Sequence, residues 1–303
     1  MTYVSCKKVQ RGTILVGELV LFLLGNYLIY STIRLINENW YYLPGHTETD
    51  LDFSSMEYDD LGLLRFIKQN YLNDPADLEL ERNLTKTVWK GPVTELVLKL
   101  LHNKSNGFFI EAGANDGEFL SNSLPLEVYH DWSGLLVEAD PAPLQRLLSK
   151  RRKAWVAGCC LSPFNNSVKI NMVTHKEWNG IGNIPSLFKG VVKKGDFSDP
   201  FEVQCFPLYS LLLAIGRTEV DYLSLDIEGA EYEVLKTIPF DKVSINIISV
   251  EFNKKSRDII KLLHKHGYKS VKRIRQPYID DLIFINPKIL KTLRPGQFTV
   301  SHH

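Results

Sequence analysis

The chain has 303 residues, and its 36 Lys and Arg nearly balance its 35 Asp and Glu, for a formal net charge of +1. This balance argues against nucleic acid or a polyacidic molecule as the partner. Hydrophobic residues make up 44% and charged residues 23%, which is the composition of an ordinary globular protein with room for one large core.

The first element in chain order is an apolar run over Ile14–Ile36, long enough to cross a bilayer as a helix. Lys7, Lys8 and Arg11 precede it, and the positive-inside bias then places residues 1–13 in the cytosol as a short tail. The run therefore predicts a single-pass signal anchor over residues 14–36, with the rest of the chain in the lumen. A cleaved signal peptide and a buried soluble helix are the alternatives.

A lumenal location gives two further expectations. The triplets beginning at Asn83, Asn103 and Asn165 are N-glycosylation sequons. Three of the four cysteines follow the apolar run, and an oxidising compartment permits one disulfide between Cys205 and either Cys159 or Cys160. We take Cys160–Cys205 as the working choice. The cysteine spacing fits no zinc pattern, and the histidines supply no metal ligand set.

Residues 37–60 are predicted to be a stem, because His46–Asp60 is acidic and has no apolar period. Residues 61–303 form the predicted lumenal domain, which begins with amphipathic helices near Leu61 and over Pro92–His102. The basic runs Lys150–Lys153 and Lys269–Arg275 are expected to be solvated faces.

Beyond Pro92–His102, short apolar runs alternate with helical ones. The predicted strands are Gly107–Gly113, Gly134–Asp140, Ala154–Leu161, Tyr222–Ile227 and Ile245–Phe252. The predicted helices between them include Pro141–Arg151, Ala230–Ile238 and Ser256–His266. Such alternation predicts an α/β fold with right-handed crossovers and a mostly parallel sheet. Tyr268–Ile274 and Asp281–Asn286 predict an antiparallel hairpin at its C-terminal edge, the layout of a Rossmann-like methyltransferase.

Two strand ends carry the candidate cofactor site. The turn from Glu111 to Gly117 leaves the first strand, and Gly113 and Gly117 permit a close backbone approach to a ligand. No GxGxxG is present, so dinucleotide binding is not indicated. An acid in this turn instead suits a cationic ligand such as S-adenosylmethionine. The second strand ends LLVEAD, where Glu138 is placed to accept hydrogen bonds from a ribose and Asp140 follows it.

The candidate catalytic residues follow a later strand, in DYLSLDIEGAEYEV. Asp226 and Glu228 are predicted to project into the same mouth, where paired carboxylates can position an acceptor or take a proton from its hydroxyl. The alternative is structural, with Asp226 and Glu231 capping the following helix.

These motifs resemble a known family. The stretches GFFIEAGANDGEFLSNSLPLE, WSGLLVEADP, VQCFPLYSLLLAIG and DYLSLDIEGAEYEVLKTIPF are similar to the FkbM-type methyltransferase domain, and within it to the Star-like branch of invertebrate proteins. The resemblance extends over roughly residues 60–287. It implies that the cofactor-binding positions are Glu111, Gly113, Asn115, Gly117, Glu138 and Asp226.

The resemblance implies two functions. FkbM-type domains are expected to be S-adenosylmethionine-dependent O-methyltransferases, here acting on a glycan or small hydroxylated acceptor. The Star-like branch implies a membrane protein that assists transport of membrane-tethered cargo, such as growth-factor precursors, from the endoplasmic reticulum to the Golgi and endosomes. The sequence favours the transport role, with the methyltransferase as the alternative. It predicts no metal and no nucleic acid.

Overall fold

The computed structural model describes residues 53–77, 82–84, 88–174, 182–183 and 198–292. The predicted tail, the predicted span over residues 14–36 and most of the predicted stem lie outside the described residues. No helix in the described ranges is long and apolar enough to cross a bilayer. A compact unit begins at Phe53, whose side chain packs in the main core, so this unit starts before the predicted domain boundary at Leu61.

The described helices follow a short 3-10 turn at Phe53–Ser55. They are α1 (Leu61–Asn70), α2 (Pro92–Leu100), α3 (Leu124–His130), α4 (Pro141–Ser149), α5 (Leu208–Ala214), α6 (Glu231–Thr237), α7 (Ser256–Lys265) and α8 (Pro287–Leu290). Local sequence explains where several of them begin. Asp60 caps α1 by accepting hydrogen bonds from the backbone N–H groups of Gly62 and Leu63, and proline occupies the first turn of α2 and α4.

The described strands form two sheets. They are β1 (Leu72–Asn73), β2 (Phe108–Ala112), β3 (Ser133–Val137), β4 (Ala154–Ala157), β5 (Cys160–Leu161), β6 (Val168–Thr174), β7 (Gly182–Asn183), β8 (Phe201–Phe206), β9 (Glu219–Leu225), β10 (Ser244–Glu251), β11 (Lys269–Gln276) and β12 (Ile279–Ile285). The main sheet has the order β1-β4-β3-β2-β9-β10-β12-β11.

The main sheet confirms the predicted fold class. Strands β4, β3, β2, β9 and β10 are parallel. Strand β12 runs antiparallel to β10 and pairs with β11 as the predicted hairpin. The chain builds outward from β2 to β4 and then returns to place β9 on the other side of β2. This reversal of strand order puts a topological switch point between β2 and β9, where open α/β sheets bind ligands.

Alternating side chains of the central strands bury both faces of the main sheet. Phe108 and Ile110 of β2 pack in one hydrophobic cluster, whereas Phe109 packs in the other with Trp132 and Tyr222. Because helices cover both faces, the central strands read as continuous apolar runs. This arrangement fixes the carboxyl ends of β2, β3, β9 and β10 at one edge.

The smaller sheet was not predicted. Its order is β5-β8-β6-β7, and it pairs β8 in parallel with β5 and antiparallel with β6. The predicted single strand Ala154–Leu161 is wrong, because it divides at Gly158 into β4 of the main sheet and β5 of the smaller one. The predicted helix near Leu61 ends at Asn70, and Leu72 pairs with Ala157 as part of β1.

Candidate functional site

A cavity of about 760 Å³ opens at the carboxyl ends of β2, β3, β9 and β10. It therefore lies at the switch point that the strand order creates. Five of the predicted site residues line it directly, in addition to Gly113: they are Glu111, Asn115, Glu138, Asp226 and Glu228. The sheet thus brings most of the predicted cofactor and catalytic residues to one place.

Gly113, directly after β2, lies against the backbone of Asp226, directly after β9. Its φ is +82°, and a Cβ atom there would collide with the backbone carbonyl oxygen of Asp226. The backbone N–H of Asp226 donates to the carbonyl of Ala112 (3.1 Å), which holds the two strand ends together. A side chain at position 113 would therefore force these strand ends apart.

Glu138 ties together two turns at the end of β3. Its Oε2 accepts a hydrogen bond from the backbone N–H of Asn115 (2.8 Å), and its Oε1 accepts one from Asp140 (2.8 Å). Asn115 adopts a left-handed conformation with φ 49°, which points its N–H toward this carboxylate. Burial raises the pKa of Glu138 to about 7, although the backbone hydrogen bonds from Asp140 and Asn115 act in the opposite direction.

Glu111 organises the loop before α3. Its Oε2 accepts from the hydroxyl of Ser121 (2.7 Å) and from the hydroxyl of Ser123. Its Oε1 accepts from the backbone N–H of Asn122 (2.7 Å). A carboxylate offers about four lone-pair sites, so Glu111 retains capacity for about one more donor from the cavity.

Arg152 braces this loop from behind, and it corrects one sequence expectation. Its guanidinium donates to the backbone oxygen of Gly117, to the hydroxyl of Ser123 (3.0 Å) and to Glu127 (2.8 Å). The run Lys150–Lys153 was expected to be a solvated face, but Lys150 is 6% exposed and Arg152 is 2% exposed. The expectation was wrong for these two residues, because buried acids, Glu118 for Lys150 and Glu127 for Arg152, neutralise both cations. Arg151 is exposed, as expected.

Asp226 and Glu228 lie together beyond the end of β9. The Asp226 side chain is exposed to solvent and lines the cavity. Partial desolvation by the surrounding protein, together with the charges of Glu251 and Glu228, raises the pKa of Asp226 above its usual range. Glu228 has a left-handed backbone with φ 59°, and burial followed by the charge of Glu231 raises its pKa to about 7.

Glu231 has the structural role that the alternative interpretation gave to both Asp226 and Glu231. Its Oε1 accepts from the backbone N–H groups of Ile227 and Gly229, both at 2.9 Å. Its Oε2 accepts from the side-chain amide of Asn253 (2.6 Å). Glu231 thus closes the turn that presents Asp226 and Glu228, whereas no hydrogen bond within the described residues assigns a capping role to the Asp226 side chain.

Two further acids at the cavity were missed by the sequence analysis. Glu251 is the last residue of β10, and Asp281 lies opposite it on β12. Burial raises the pKa of Glu251 to about 8 and that of Asp281 to about 6. Glu251 was detectable as an acid at a strand end, like Glu138. Asp281 was not, because only the pairing of β12 with β10 places it beside Glu251.

Carboxylate oxygens of Asp226, Glu231 and Glu251 lie within 4.8 Å of one another, which is a spacing that one metal ion can span. The sequence predicted no metal ligand set, because its histidines and cysteines show no ligand spacing.

The outer rim of the cavity is aromatic. Phe119 is 57% exposed and Tyr278 is 77% exposed, and both line the opening. The inner wall beside Glu138 is apolar and includes Val137, Leu161 and Met172, the last contributed by the smaller sheet. The cavity therefore combines polar groups at strand ends with apolar surface on which a flat ring can rest.

Two predicted cofactor residues do not line the cavity. Asp140 caps α4 by accepting from the backbone N–H of Ala142 (2.9 Å) and accepts from the Thr174 hydroxyl (2.6 Å). Gly117 has φ +75°, and a Cβ atom there would meet the side chain of Leu147. Both residues shape the turns that hold the site.

The described residues include three cysteines and all three sequon asparagines. Cys160 and Cys205 form a disulfide that joins β5 to β8, while Cys159 is free and buried. Burial raises the pKa of the Cys159 thiol, which makes it unreactive. Asn83, Asn103 and Asn165 are all exposed.

Comparison with protein families decides the classification. Residues 111–270 match the Methyltransferase FkbM domain. The chain belongs to this family. Membership of the FkbM methyltransferase domain family implies S-adenosylmethionine as the cofactor. A comparison with curated proteins gave no match.

Solved structures similar to this FkbM domain are distant in sequence. A methyltransferase FkbM from Methylobacillus flagellatus KT is 14% identical with a TM-score of 0.40, and the match covers 65% of this chain and 48% of that one. The precorrin-6y C5,15-methyltransferase from Geobacter metallireducens GS-15 is 12% identical with a TM-score of 0.35, covering 70% and 96%. The putative RNA methyltransferase PH1948 from Pyrococcus horikoshii is 14% identical with a TM-score of 0.33, covering 74% and 96%.

Proposed function

We propose that this FkbM domain is an S-adenosylmethionine-dependent O-methyltransferase acting on a glycan or a small hydroxylated acceptor. The observation that carries the proposal is the position of Glu138. Its carboxylate lies at the end of β3 beside the Gly113 turn and faces a cavity at the switch point of the sheet.

The cavity suits the cofactor in size and chemistry. A volume of about 760 Å³ falls within the roughly 300–1,000 Å³ of small-molecule sites. Gly113 leaves backbone open where a side chain would not fit, and the Glu138 carboxylate would accept hydrogen bonds from ribose hydroxyls. The bound cofactor would supply an electrophilic methyl group at the cavity, and the rest of the site holds and orients the acceptor.

The acceptor side of the cavity supports a hydroxylated substrate. Asp226 and Glu228 present carboxyl groups at its floor, and Glu228 is half-buried with a raised pKa of about 7. A carboxylate in this range is matched to accept a proton from an acceptor hydroxyl near neutral pH. The exposed rings of Phe119 and Tyr278 provide flat apolar surface at the rim, on which the apolar face of a sugar ring can stack.

Isothermal titration calorimetry with S-adenosylhomocysteine, the demethylated product, tests the cofactor proposal on the purified full chain. We expect one binding event per chain in the wild type. Glu138→Ala removes the ribose acceptor, and we expect its affinity to fall at least about tenfold, the loss of about one charge-assisted hydrogen bond.

The matched control is Glu219→Ala, which removes an exposed acid from the other end of the same sheet. It should bind the product like the wild type. Absence of binding to the folded wild type at millimolar ligand would contradict the proposal, as would equal affinities for Glu138→Ala and wild type.

The cellular location is a second proposal. We infer a single-pass membrane protein whose FkbM domain lies in the lumen of the endoplasmic reticulum, Golgi and endosomes. Support comes from the sequence run over residues 14–36, from the exposed sequon asparagines and from the Cys160–Cys205 disulfide, a bond that persists in oxidising compartments.

A role in transport of membrane-tethered cargo is the second candidate function, and the same lumenal features favour it. Its partner would be a membrane-tethered protein, as the Star-like resemblance implies. The two candidate functions predict different effects of substitutions at the cavity. In an assay of cargo export from the endoplasmic reticulum, a transport factor should tolerate Glu138→Ala and Asp226→Asn, whereas a methyltransferase whose product is needed for export should not.

A further inference from the structure

A second cleft, of about 370 Å³, lies at the amino ends of β2, β9 and β10. This amino-edge cleft is on the opposite side of the main sheet from the cavity at the carboxyl ends. The two sites lie about 20 Å apart, because β9 spans 7 residues at roughly 3.3 Å each. They share no lining residue, so the amino-edge cleft is a separate site.

Cations outnumber acids in the amino-edge cleft. Lys104, Arg217 and Lys288 line it, against Glu219 and Asp221. The cavity at the carboxyl ends has the opposite balance, because a single arginine faces seven acids among its described lining residues. A small anion is therefore attracted to the amino edge of the sheet rather than to the cavity.

Asp221 is already neutralised and holds the base of the cleft together. Its Oδ1 accepts hydrogen bonds from the Lys104 ammonium (2.7 Å) and from the side-chain amide of Asn246 (3.0 Å). Its Oδ2 accepts one from the backbone N–H of Phe108 (2.9 Å). An ammonium has three donors, so Lys104 keeps N–H groups for a ligand. The charge of Asp221 is thus spent within the protein.

Arg217 presents its guanidinium donors to the cleft. Its backbone N–H donates to the carbonyl of Leu212 (2.9 Å), in a Schellman motif closed by Gly216 with φ +69°. Its guanidinium lies over the ring of Phe108, 4.9 Å from the centroid. Stacking of this kind leaves the in-plane N–H groups available for a bidentate contact with an oxyanion. Among the described residues, the Arg217 side chain has no ion pair and no hydrogen bond.

Lys288 enters the cleft from the start of α8. The Asn286 side chain accepts from the backbone N–H of Lys288 (3.0 Å), and the backbone N–H of Asn286 donates to the carbonyl of Asn246 (2.8 Å). These bonds tie α8 to the amino end of β10. The Lys288 side chain is exposed, and it forms no ion pair within the described part of the chain.

The neutral part of the lining is polar. Asn106 and Ser244 add an amide and a hydroxyl, whereas the apolar lining residues Phe108 and Val220 are both buried. Such a wall can hydrogen-bond hydroxyl groups, but it offers little apolar surface for a nucleobase or an acyl chain. The volume of about 370 Å³ lies at the lower end of small-molecule sites, roughly 300–1,000 Å³. It suits a molecule of the size of one sugar.

We propose that the amino-edge cleft binds the phosphate monoester of a sugar. A phosphate monoester carries a charge of about −1.5 to −2 at pH 7 and three strong acceptor oxygens. Arg217 and Lys288 hold the phosphate together with the remaining N–H groups of Lys104, and Asn106 and Ser244 hydrogen-bond the sugar hydroxyls. The site is independent of the proposed methyltransferase cavity, so its ligand binds without cofactor.

Isothermal titration calorimetry with glucose 6-phosphate tests the site on the purified full chain in the absence of cofactor. We expect one binding event per chain, weakened by salt, and no binding of glucose. Arg217→Gln should weaken binding at least tenfold, and Lys288→Gln several-fold. Arg217→Lys should also weaken it several-fold, because lysine keeps the charge but lacks the bidentate fork.

Arg257→Gln is the matched control, because Arg257 is exposed on α7 and does not line the cleft. It should bind as the wild type does, and the unfolding temperature checks that each variant is folded. Absence of binding to the folded wild type overturns the proposal, as do equal affinities for Arg217→Gln and wild type.

Two further titrations test the sugar part of the ligand. Inorganic phosphate and a short-chain phosphatidic acid, which is a phosphate monoester on a lipid, should both bind several-fold more weakly than glucose 6-phosphate. Equal affinity for inorganic phosphate would indicate a simple anion site, and tighter binding of the phosphatidic acid would indicate a lipid headgroup. Either result overturns the assignment to a sugar phosphate.

Discussion

At the scale of single residues, the shape of the site depends on Glu138, Gly113 and Arg152. Glu138 is buried, holds two turns through backbone hydrogen bonds, and still faces the cavity. A glycine is needed at position 113 because two strand ends approach closely there, leaving no room for a Cβ atom. Arg152, which belongs to a basic run, is a buried brace for the Glu111–Gly117 turn.

The pH dependence of stability tests the burial of Glu138. Its pKa is about 7 in the fold against 4.5 ordinarily. Between these values the folded state keeps a proton that the unfolded state has released. The contribution of Glu138 to the free energy of unfolding therefore falls as pH rises through this window, by about 3 kcal/mol in all.

Glu138→Gln has no such titration, so its stability relative to wild type should increase as pH rises. Urea unfolding of both proteins at roughly pH 5 and pH 8 measures the change. A difference between the two proteins that stays constant with pH would contradict the raised pKa.

Gly113→Ala tests the close approach of β2 and β9. The new Cβ atom would meet the backbone oxygen of Asp226, which cannot move as a side chain can. We expect a loss of about 2–4 kcal/mol in the free energy of unfolding, from overpacking added to left-handed backbone strain.

Gly216→Ala is the matched control, since Gly216 has φ +69° but nothing within 4 Å of an added Cβ. It should cost only about 1–2 kcal/mol, the strain alone. Equal losses in the two variants, measured by urea unfolding, would show that the collision at Gly113 carries no cost.

At the scale of elements, the smaller sheet completes the cavity wall. Strand β6 supplies Met172 to the lining, and β5 follows β4 after the break at Gly158. The Cys160–Cys205 disulfide joins β5 to β8 across a separation of 45 residues. This covalent link joins two neighbouring strands of the smaller sheet.

Removing the disulfide should destabilise the domain. A link that closes a loop of this length contributes about 2–4 kcal/mol, mainly by restricting the unfolded chain. We expect the unfolding temperature of the wild type to fall when a phosphine reductant is added. The Cys160→Ala/Cys205→Ala double variant, which retains Cys159, should show no response to the reductant. An equal fall in unfolding temperature in both proteins would show that the reductant does not act through the Cys160–Cys205 disulfide.

At the scale of the whole molecule, one strand-order reversal gathers the cavity residues from distant parts of the chain. The main sheet places β2 beside β9, although more than a hundred residues separate Glu111 from Asp226 in the printed sequence. The proposed anchor would hold this domain at a membrane, with its sequons exposed to the lumen.

The lumenal orientation predicts glycan addition in cells. Asn103 is exposed in the loop after α2, so Asn103→Gln should remove one glycosidase-sensitive increment of mass. Asn106→Gln is the control, because Asn106 is exposed in the same loop but is followed by Gly107 and Phe108 and forms no sequon. A chain that carries no glycan and is released from membranes by carbonate would contradict the proposed location.

The sequence by itself determined the alternation of strands and helices, the reversed hairpin and the acids at the ends of β2, β3 and β9. These are local features, because strand burial, helix caps and turn glycines leave patterns within a few residues. It did not determine the smaller sheet, the buried state of Lys150 and Arg152, or the meeting of Glu251 with Asp281. Those depend on strand register and on partners far along the chain. Only the tertiary structure turned separate strand-end acids into one acidic cavity floor, because charge and burial at that floor arise from several strands packed side by side.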